Sequence, residues 1–202
     1  MREHQSTWPL HEVGEKAVML VREFLDLCSF VVLLRGSGAQ VRWSRPPEGV
    51  FKVNFDAALF ENIGCACIGV VIRDSKGEII AALSQRIPLP FSVEMAEAMA
   101  ACQALLFAQE LSLSKVMMEG DYLRVVSALN SSVSCNTLYG NVVEEARRQA
   151  CQFQFCRFSH VRQGGNKLAH ALPRRAISSA GLDVWVEELP FDLESVFQTD
   201  FS

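Results

Sequence analysis

Apolar and polar residues alternate along residues 51–56, which is the pattern of a strand with one apolar and one polar face. Residues 64–73 are almost continuously apolar, and after a turn at residues 74–77 the extended pattern returns at residues 78–84. Because short connections join strands that run in opposite directions, these segments predict an antiparallel meander of three strands. Asp56 lies on the polar face, where the alternation of the first strand ends.

Beyond the meander, helical and extended patterns alternate. Residues 95–111 are apolar on most sides, so the helix predicted there is largely buried. The remaining elements, in chain order, are a strand at 116–118, helices at 122–129 and 138–150, a strand at 153–161, and a helix at 166–178 that Pro173 distorts. A meander followed by alternating helices and strands predicts an α/β fold, a mixed sheet with helices packed on it.

The two ends of the chain differ from this middle part. Residues 15–34 are apolar but interrupted by charges, so we predict a helix there and not a membrane span, which needs about 20 mostly apolar residues. Paired prolines make residues 43–49 an extended linker. The residues after Gly181 are acidic but keep Trp185 and Phe191, which favours docking on the domain. We therefore divide the chain into an N-terminal helix and linker (1–42), a main domain (43–180) and an acidic C-terminal tail (181–202).

The charge distribution limits what the chain can bind. Half of the 202 residues are hydrophobic, enough for a sizeable core, and the formal net charge is −4. A net-acidic chain is not a general polyanion binder, so any nucleic-acid contact needs a local basic face. One candidate runs between Glu145 and Asp183, where no acidic residue occurs; an ordinary solvated surface is the alternative explanation. The substrate contacts that we expect from this span are Arg162, Asn166, Lys167 and Arg174.

Cysteine usage bears on the compartment. The chain has 7 cysteines, an odd number at scattered spacings, and no C-x-x-C pair that would indicate zinc. Cys65 and Cys67 share one face of a predicted strand and are interpreted as small buried thiols. We expect a reducing compartment inside the cell, with nucleus and cytoplasm both open.

Three acids follow in comparable settings. Asp56 lies on the first strand, Glu97 early in the buried helix, and Asp121 where a strand meets a helix. Each has an ordinary explanation: a strand-end turn residue, a glutamate favoured by the helix dipole, and a helix N-cap. Glu94, one turn before Glu97, is the competing candidate. If the three side chains converge, they form a site for a divalent metal ion, which can cleave phosphodiesters.

Five segments in this order resemble the ribonuclease H type 1 domain, and in particular plant ribonuclease H-like domains related to non-LTR retroelement polyproteins. They are residues 43–56 (WSRPPEGVFKVNFD), 69–74 (GVVIRD), 96–100 (AEAMA), 119–121 (EGD) and 160–172 (HVRQGGNKLAHAL). The resemblance covers about two thirds of the chain and implies a mixed five-stranded sheet, a three-strand antiparallel meander plus two parallel strands, flanked by helices. Residues 1–42 are then interpreted as the remnant of a longer polyprotein.

The resemblance also implies the site. The family uses four acids that bind two magnesium ions, and Asp56, Glu97 and Asp121 take the first three positions as metal ligands. His170 stands where the family has aspartate, in an Asn-x-x-Ala-Asp context, and completes the expected catalytic set. Because histidine carries no negative charge and is a softer ligand, Mn²⁺ is an alternative to Mg²⁺.

The function that follows from the resemblance is a metal-dependent endonuclease that hydrolyses the RNA strand of RNA–DNA hybrids by a two-metal mechanism. The alternative is a catalytically weak or inactive nucleic-acid-binding module derived from a retroelement, which His170 and the acidic tail favour. The expected partner is an RNA–DNA hybrid or duplex, the expected state is a monomer, and no membrane partner is expected.

Overall fold

The computed structural model describes residues 42–177 and 181–200, so the helix predicted at residues 15–34 lies outside the described residues. The described chain forms one mixed sheet in the order β5-β4-β1-β2-β3-β6. The strands are β1 (Phe51–Phe60), β2 (Cys65–Arg73), β3 (Ile79–Pro88), β4 (Lys115–Gly120), β5 (Phe155–His160) and β6 (Leu182–Val186).

The pairing of the strands confirms the predicted mixed sheet. Strands β1, β2 and β3 form the antiparallel meander, and β1–β4 and β4–β5 are parallel pairs. The described sheet has six strands where five were predicted, because β6 comes from the acidic tail and pairs antiparallel with β3. Strand β1 is also longer than predicted: residues 57–60 continue the pairing with β2 toward the hairpin, so Asp56 lies within the strand and not at its end.

Helices cover both faces of the sheet. They are α1 (Val93–Glu110), α2 (Leu123–Asn130), α3 (Gly140–Ala150), α4 (Lys167–Ala171), α5 (Pro173–Ala176) and α6 (Glu194–Thr199). The hydroxyl of Ser92 caps α1 by accepting a hydrogen bond from the Met95 N–H at 3.2 Å. Pro173, which has no N–H to donate, separates α4 from α5, and the predicted distortion is confirmed.

Two packing contacts place the helices that frame the site. Helix α1 buries a row of alanines, and these small side chains let it lie close to the sheet over the core formed with Val53, Phe55 and Val70. On the opposite face, α4 and α5 lie directly on Gly69 of β2. A Cβ at Gly69 would come within 2.4 Å of the Ala169 carbonyl oxygen, so only glycine permits this approach.

The polar face of β1 is buried, although its alternation is typical of a solvated face. Lys52, Asn54 and Asp56 are all buried. The indole N–H of Trp43 donates to the Asn54 side-chain oxygen at 3.0 Å, and Lys52 forms an ion pair with Glu119 of β4 at 2.8 Å. A buried polar group needs such partners, and the linker before β1 supplies one of them.

The C-terminal residues close the same side of the sheet. Asp200 accepts a hydrogen bond from the buried guanidinium of Arg73 at 2.7 Å, and the Arg73 guanidinium carbon lies 4.3 Å from the ring centroid of Trp43 and 5.6 Å from that of Phe197. Trp185 and Leu193 pack with the apolar side chains of α4. Within the described ranges, no helix has the length and apolar character needed to cross a bilayer.

Candidate active site

Three different elements carry the three acids to one region. Asp56 lies in β1, Glu97 in the second turn of α1, and Asp121 directly after β4. Strands β1 and β4 are parallel neighbours with Asn54 opposite Glu119, so the residues two positions further on come to the same end of the sheet. Asp121 does not cap α2, whose N-cap position is Tyr122 and which has no side-chain cap. The sequence-based alternative for Asp121 is therefore wrong.

Asp56 lies between two partners. One side-chain atom from each of Asp56, Asp121 and His170 lies within 4.8 Å of the others, in an arrangement that could hold a metal ion. A hydrogen bond between the Asp56 and Asp121 carboxyl groups favours the protonated form of Asp121. Burial raises the pKa of Asp121, the charge of Asp56 and this hydrogen bond raise it further, and His170 opposes the effect.

Glu97 is the most confined of the acids. Its side chain is 3% exposed, it accepts a hydrogen bond from the backbone N–H of Ala57, and its Oε2 is buried without a hydrogen-bond partner among the described residues. Burial, followed by the charges of Asp56 and Asp121, raises the pKa of Glu97 to about 9. Three crowded carboxyl groups with an unpaired oxygen fit a divalent cation, which accepts oxygen ligands and would offset their repulsion.

Glu94 points away from this cluster. Its carboxylate accepts a hydrogen bond from the Tyr122 hydroxyl at 2.9 Å and lies 3.6 Å from the guanidinium of Arg124, whose own side chain is exposed. The pKa of Glu94 is lowered by hydrogen bonds from its backbone N–H, Tyr122 and Ser92. Glu97, and not Glu94, is thus the acid of α1 that lies beside Asp56.

His170 contacts Asp56 through its inner ring nitrogen. The Nδ1 of His170 lies 2.9 Å from Asp56 Oδ2, and its Nε2 lies 3.2 Å from the amide nitrogen of Gln163. An amide nitrogen only donates, so Nε2 accepts and Nδ1 carries the proton that is donated to Asp56. This hydrogen bond and the charges of Asp56 and Asp121 raise the pKa of His170, against the opposing effects of burial and Arg174.

The expected substrate contacts fall into two groups. Arg162 and Arg174 are exposed, and Lys167 is half-buried with its ammonium 3.4 Å from the Thr199 hydroxyl. Asn166 is buried: its amide N–H donates to the Phe55 carbonyl at 3.0 Å and its oxygen accepts from the Asn54 amide at 3.2 Å. Both ends of the Asn166 side chain are therefore engaged inside the protein.

Two neighbours of the site carried no role in the sequence-based prediction. Gln163 contacts His170, and the Nε2 of His160 lies 3.0 Å from the backbone carbonyl oxygen of Asp121. Both belong to the segment at and after the C-terminal end of β5. Their position after the predicted strand could have identified them, because the loops at the carboxyl ends of parallel strands meet at one edge of the sheet.

Solved ribonucleases share this fold. The chain is similar to RNase H1 from the halophilic archaeon Halobacterium salinarum NRC-1, with 26% identity, a TM-score of 0.60, and 65% of this chain and 99% of that chain covered. It is also similar to LC11-RNase H1, isolated from compost, in a structure with an RNA/DNA hybrid, with 23% identity, a TM-score of 0.57, and 63% and 96% covered. A foamy viral protease-reverse transcriptase with an RNA/DNA hybrid matches with 16% identity and a TM-score of 0.52, over 70% of this chain and 22% of that one.

Sequence comparison agrees with the structural one. A search of the sequences of curated proteins finds no significant match. The family model described as reverse transcriptase-like matches residues 54–176, which is more than half of the chain and includes Asp56, Glu97, Asp121 and His170. The chain therefore belongs to the reverse transcriptase-like family and folds as a ribonuclease H-like domain.

Proposed function

We propose that this protein is a metal-dependent endonuclease that hydrolyses the RNA strand of RNA–DNA hybrids. The observation that carries the proposal is the convergence of Asp56, Glu97 and Asp121 at one end of the sheet, with a buried Glu97 oxygen that has no partner among the described residues. The fold that presents these carboxylates is shared with RNase H1 of Halobacterium salinarum, and the LC11 enzyme of the same fold was solved with an RNA/DNA hybrid.

Asp56, Glu97 and Asp121 are the residues that would hold Mg²⁺, or Mn²⁺, in this mechanism. Oxygen ligands match the preference of both ions, and an incomplete protein cage suits Mg²⁺, which keeps several waters. When bound, such ions supply an activated water and stabilise the charge that develops on the leaving oxygen. Asp56 lies between the other groups and would therefore be the central residue of this metal site.

His170 acts on the carboxylate and not as a fourth acid. Its Nδ1 proton is donated to Asp56 Oδ2, so the hydrogen bond fixes the orientation of that carboxylate. The raised pKa of His170 lets the imidazole carry a second proton closer to neutral pH. We assign His170 a positioning role toward Asp56, and its Nε2, on the more exposed side, contacts Gln163.

Exposed cations beside the site supply the substrate contacts. Arg162 precedes the turn that carries Gln163. Arg174 lies in α5, the helix that follows directly after the helix with His170 in the chain. Arginine contacts to phosphates give affinity that depends on salt but not on sequence. Recognition of a hybrid by its shape and by its 2′-hydroxyls needs no contact with base edges.

The test is cleavage of an end-labelled RNA–DNA hybrid in Mg²⁺, in Mn²⁺ and with chelator. We expect cleavage of the RNA strand that needs metal, leaves a 3′-hydroxyl, and is lost in Asp56→Asn and Glu97→Gln. Glu94→Gln is the matched control, because it removes a carboxylate from the same helix one turn away and should leave the rate unchanged. Cleavage that survives Asp56→Asn would overturn the mechanism.

A non-catalytic nucleic-acid-binding module is the second candidate. It is favoured by the hydrogen bond of His170 to Asp56, because a histidine in that place leaves the site with three carboxylates. This candidate predicts binding of hybrid or duplex that weakens as salt rises, without metal-dependent turnover. Binding that is insensitive to salt would count against it.

A further inference from the structure

Strand β6 forms one edge of the described sheet. It follows β3 at the end of the strand order, so only one of its two sides is paired within the described residues. Leu182, Val184 and Val186 lie opposite Gln85, Leu83 and Ala81 of β3. An edge strand offers a row of backbone donors and acceptors to any second strand.

The hydrogen bonds to β3 show which backbone groups of β6 point outward. The Arg86 N–H donates to the Gly181 carbonyl at 2.7 Å, and the Glu187 N–H donates to the Ile80 carbonyl at 2.9 Å. Because hydrogen-bonding direction alternates along an antiparallel strand, residues 181, 183, 185 and 187 bond to β3. The backbone groups of Leu182, Val184 and Val186 therefore point away from the sheet.

The same three residues carry exposed aliphatic side chains. Leu182 is 55% exposed, Val184 46% and Val186 58%, whereas Trp185 on the other face packs against the core. Their neighbours in β3 on this face, Ala81 and Leu83, are buried in the core under α1. The apolar surface of the sheet thus continues past the helix onto β6. The strand contains no lysine, proline or bulge, three of the devices that prevent an edge from pairing, although it is short and carries one charged residue, Asp183.

The pattern of β6 is complementary to itself. In an antiparallel pair of two β6 strands centred on Val184, Leu182 lies opposite Val186 and Val184 opposite its own copy, so aliphatic side chains meet across the junction. Asp183 lies opposite Trp185, so the two acids of the pair do not face each other. Like charges directly opposite would destabilise the pair, and this register avoids them.

We propose that β6 pairs with β6 of a second copy of this chain and joins the two sheets into one. In this arrangement, the outward N–H and carbonyl groups of Val184 bond to those of its copy, and the groups of Leu182 bond to those of Val186. The acidic residues in and beside the strand, Asp183 and Glu187, make a nucleic acid an unsuitable occupant of this edge. The interface does not depend on the proposed nuclease activity.

Sedimentation velocity of the full chain over a range of concentrations tests the proposal. We expect a monomer–dimer equilibrium, and we expect Val184→Lys to weaken dimerisation by roughly tenfold or more, because it places two like charges on the symmetry axis and removes apolar surface from the junction. Val133→Lys is the matched control: Val133 is 71% exposed in the loop between α2 and α3, and its substitution should leave the dimer unchanged. A wild-type chain that stays monomeric, or a dimer that survives Val184→Lys, would overturn the proposal.

Hydrogen exchange of the wild-type chain gives a second readout that needs no variant. The amides of Leu182, Val184 and Val186 should exchange more slowly as protein concentration rises, because pairing gives their outward N–H groups acceptors. The amides of Asp183 and Trp185 already bond to β3 and should change less. If the three outward amides exchange at the same rate at every concentration over the range in which the chain dimerises, the interface lies elsewhere.

Discussion

Asp56 and His170 are joined by a hydrogen bond of 2.9 Å that links the middle of β1 to helix α4. The contact spans more than a hundred residues of sequence and exists because α4 lies directly on Gly69, the residue opposite Asp56 in β2. It gives Asp56 a fixed orientation without adding a negative charge. The proposed metal site therefore depends on three carboxylates, with His170 acting through one of them.

Two replacements of His170 distinguish the effect of its hydrogen bond to Asp56 from the effect of the negative charge that a histidine does not supply. His170→Ala should lower the cleavage rate by about 10- to 100-fold, the usual cost of removing a partner that orients a metal ligand. His170→Asp should restore cleavage and strengthen the response to Mg²⁺, because the new carboxylate would add a fourth hard oxygen ligand to the site. Rates with each metal measure both effects. Equal rates for wild type and His170→Ala would remove His170 from the mechanism.

The crowding of the acids predicts how stability varies with pH in the metal-free protein. Folding raises the pKa of Glu97 from 4.5 to about 9, so between these values the folded protein holds a proton that the unfolded chain has released. Stability should therefore fall as pH rises through this window. The raised pKa values of Asp121 and His170 act in the same direction.

Thermal denaturation with chelator present measures this dependence. We expect a lower Tm at about pH 9 than at about pH 6, and a weaker dependence in Glu97→Gln. Added Mg²⁺ or Mn²⁺ should raise Tm more at the higher pH, since metal and proton compete for the same oxygens. A Tm that rises with pH across the window in the metal-free protein would contradict the assignment of Glu97.

Asn166 supports the site from inside the protein. Its amide bridges Asn54 and the Phe55 carbonyl, and its backbone carbonyl accepts the N–H of His170 at 2.9 Å. Asn166→Ala should lower the free energy of unfolding by about 1–3 kcal/mol, because buried polar partners are left unpaired. It should also reduce cleavage, because the helix that carries His170 then loses one of its attachments to β1. Lys167→Ala, next to it and half-buried, is the control for denaturant unfolding, and an Asn166→Ala protein as stable as that control would disprove the bridge.

Much of the sheet could be predicted because each strand of the meander shows its own local pattern. Strand β6 could not be predicted, because a five-residue strand within an acidic stretch has only a weak pattern of its own. It forms a strand by pairing with β3. The burial of Lys52 and Asn54 could not be predicted either. Alternation identifies a polar face, but it does not show that the linker with Trp43 and the distant Asn166 cover that face.

The residues of the site also differ in how far the sequence alone could identify their roles. The local settings of Asp56, Glu97 and Asp121 marked them as candidates, whereas the hydrogen-bonding direction of His170 depends on Gln163 and on the packing of α4 against Gly69. The inward orientation of Asn166 could not be predicted for the same reason, because a sequence does not show which polar side chains turn inward.

The exposed arginines beside the site should control affinity without affecting base preference. Arg162→Ala or Arg174→Ala should weaken hybrid binding and lower the slope of log affinity against log salt by about one unit for each phosphate that the arginine neutralises. Filter binding with Asp56→Asn protein, which cannot cleave, separates binding from turnover. Arg45→Ala, an exposed arginine in the linker before β1, is the matched comparison. Slopes that are the same for wild type, Arg162→Ala and Arg174→Ala would place the nucleic acid elsewhere.

The buried ion pair between Arg73 and Asp200 makes the C-terminal residues part of the folded domain. Both side chains are almost fully buried, and the Arg73 guanidinium is covered by Trp43 and Phe197. Asp200→Ala should lower the free energy of unfolding by about 3–5 kcal/mol, because it leaves an unpaired charge in the interior. The double variant Arg73→Met with Asp200→Ala should recover part of this stability, since it removes both charges and keeps the apolar volume. Denaturant unfolding of the two proteins checks this, and a single variant as stable as wild type would show that residues 194–200 do not close the sheet.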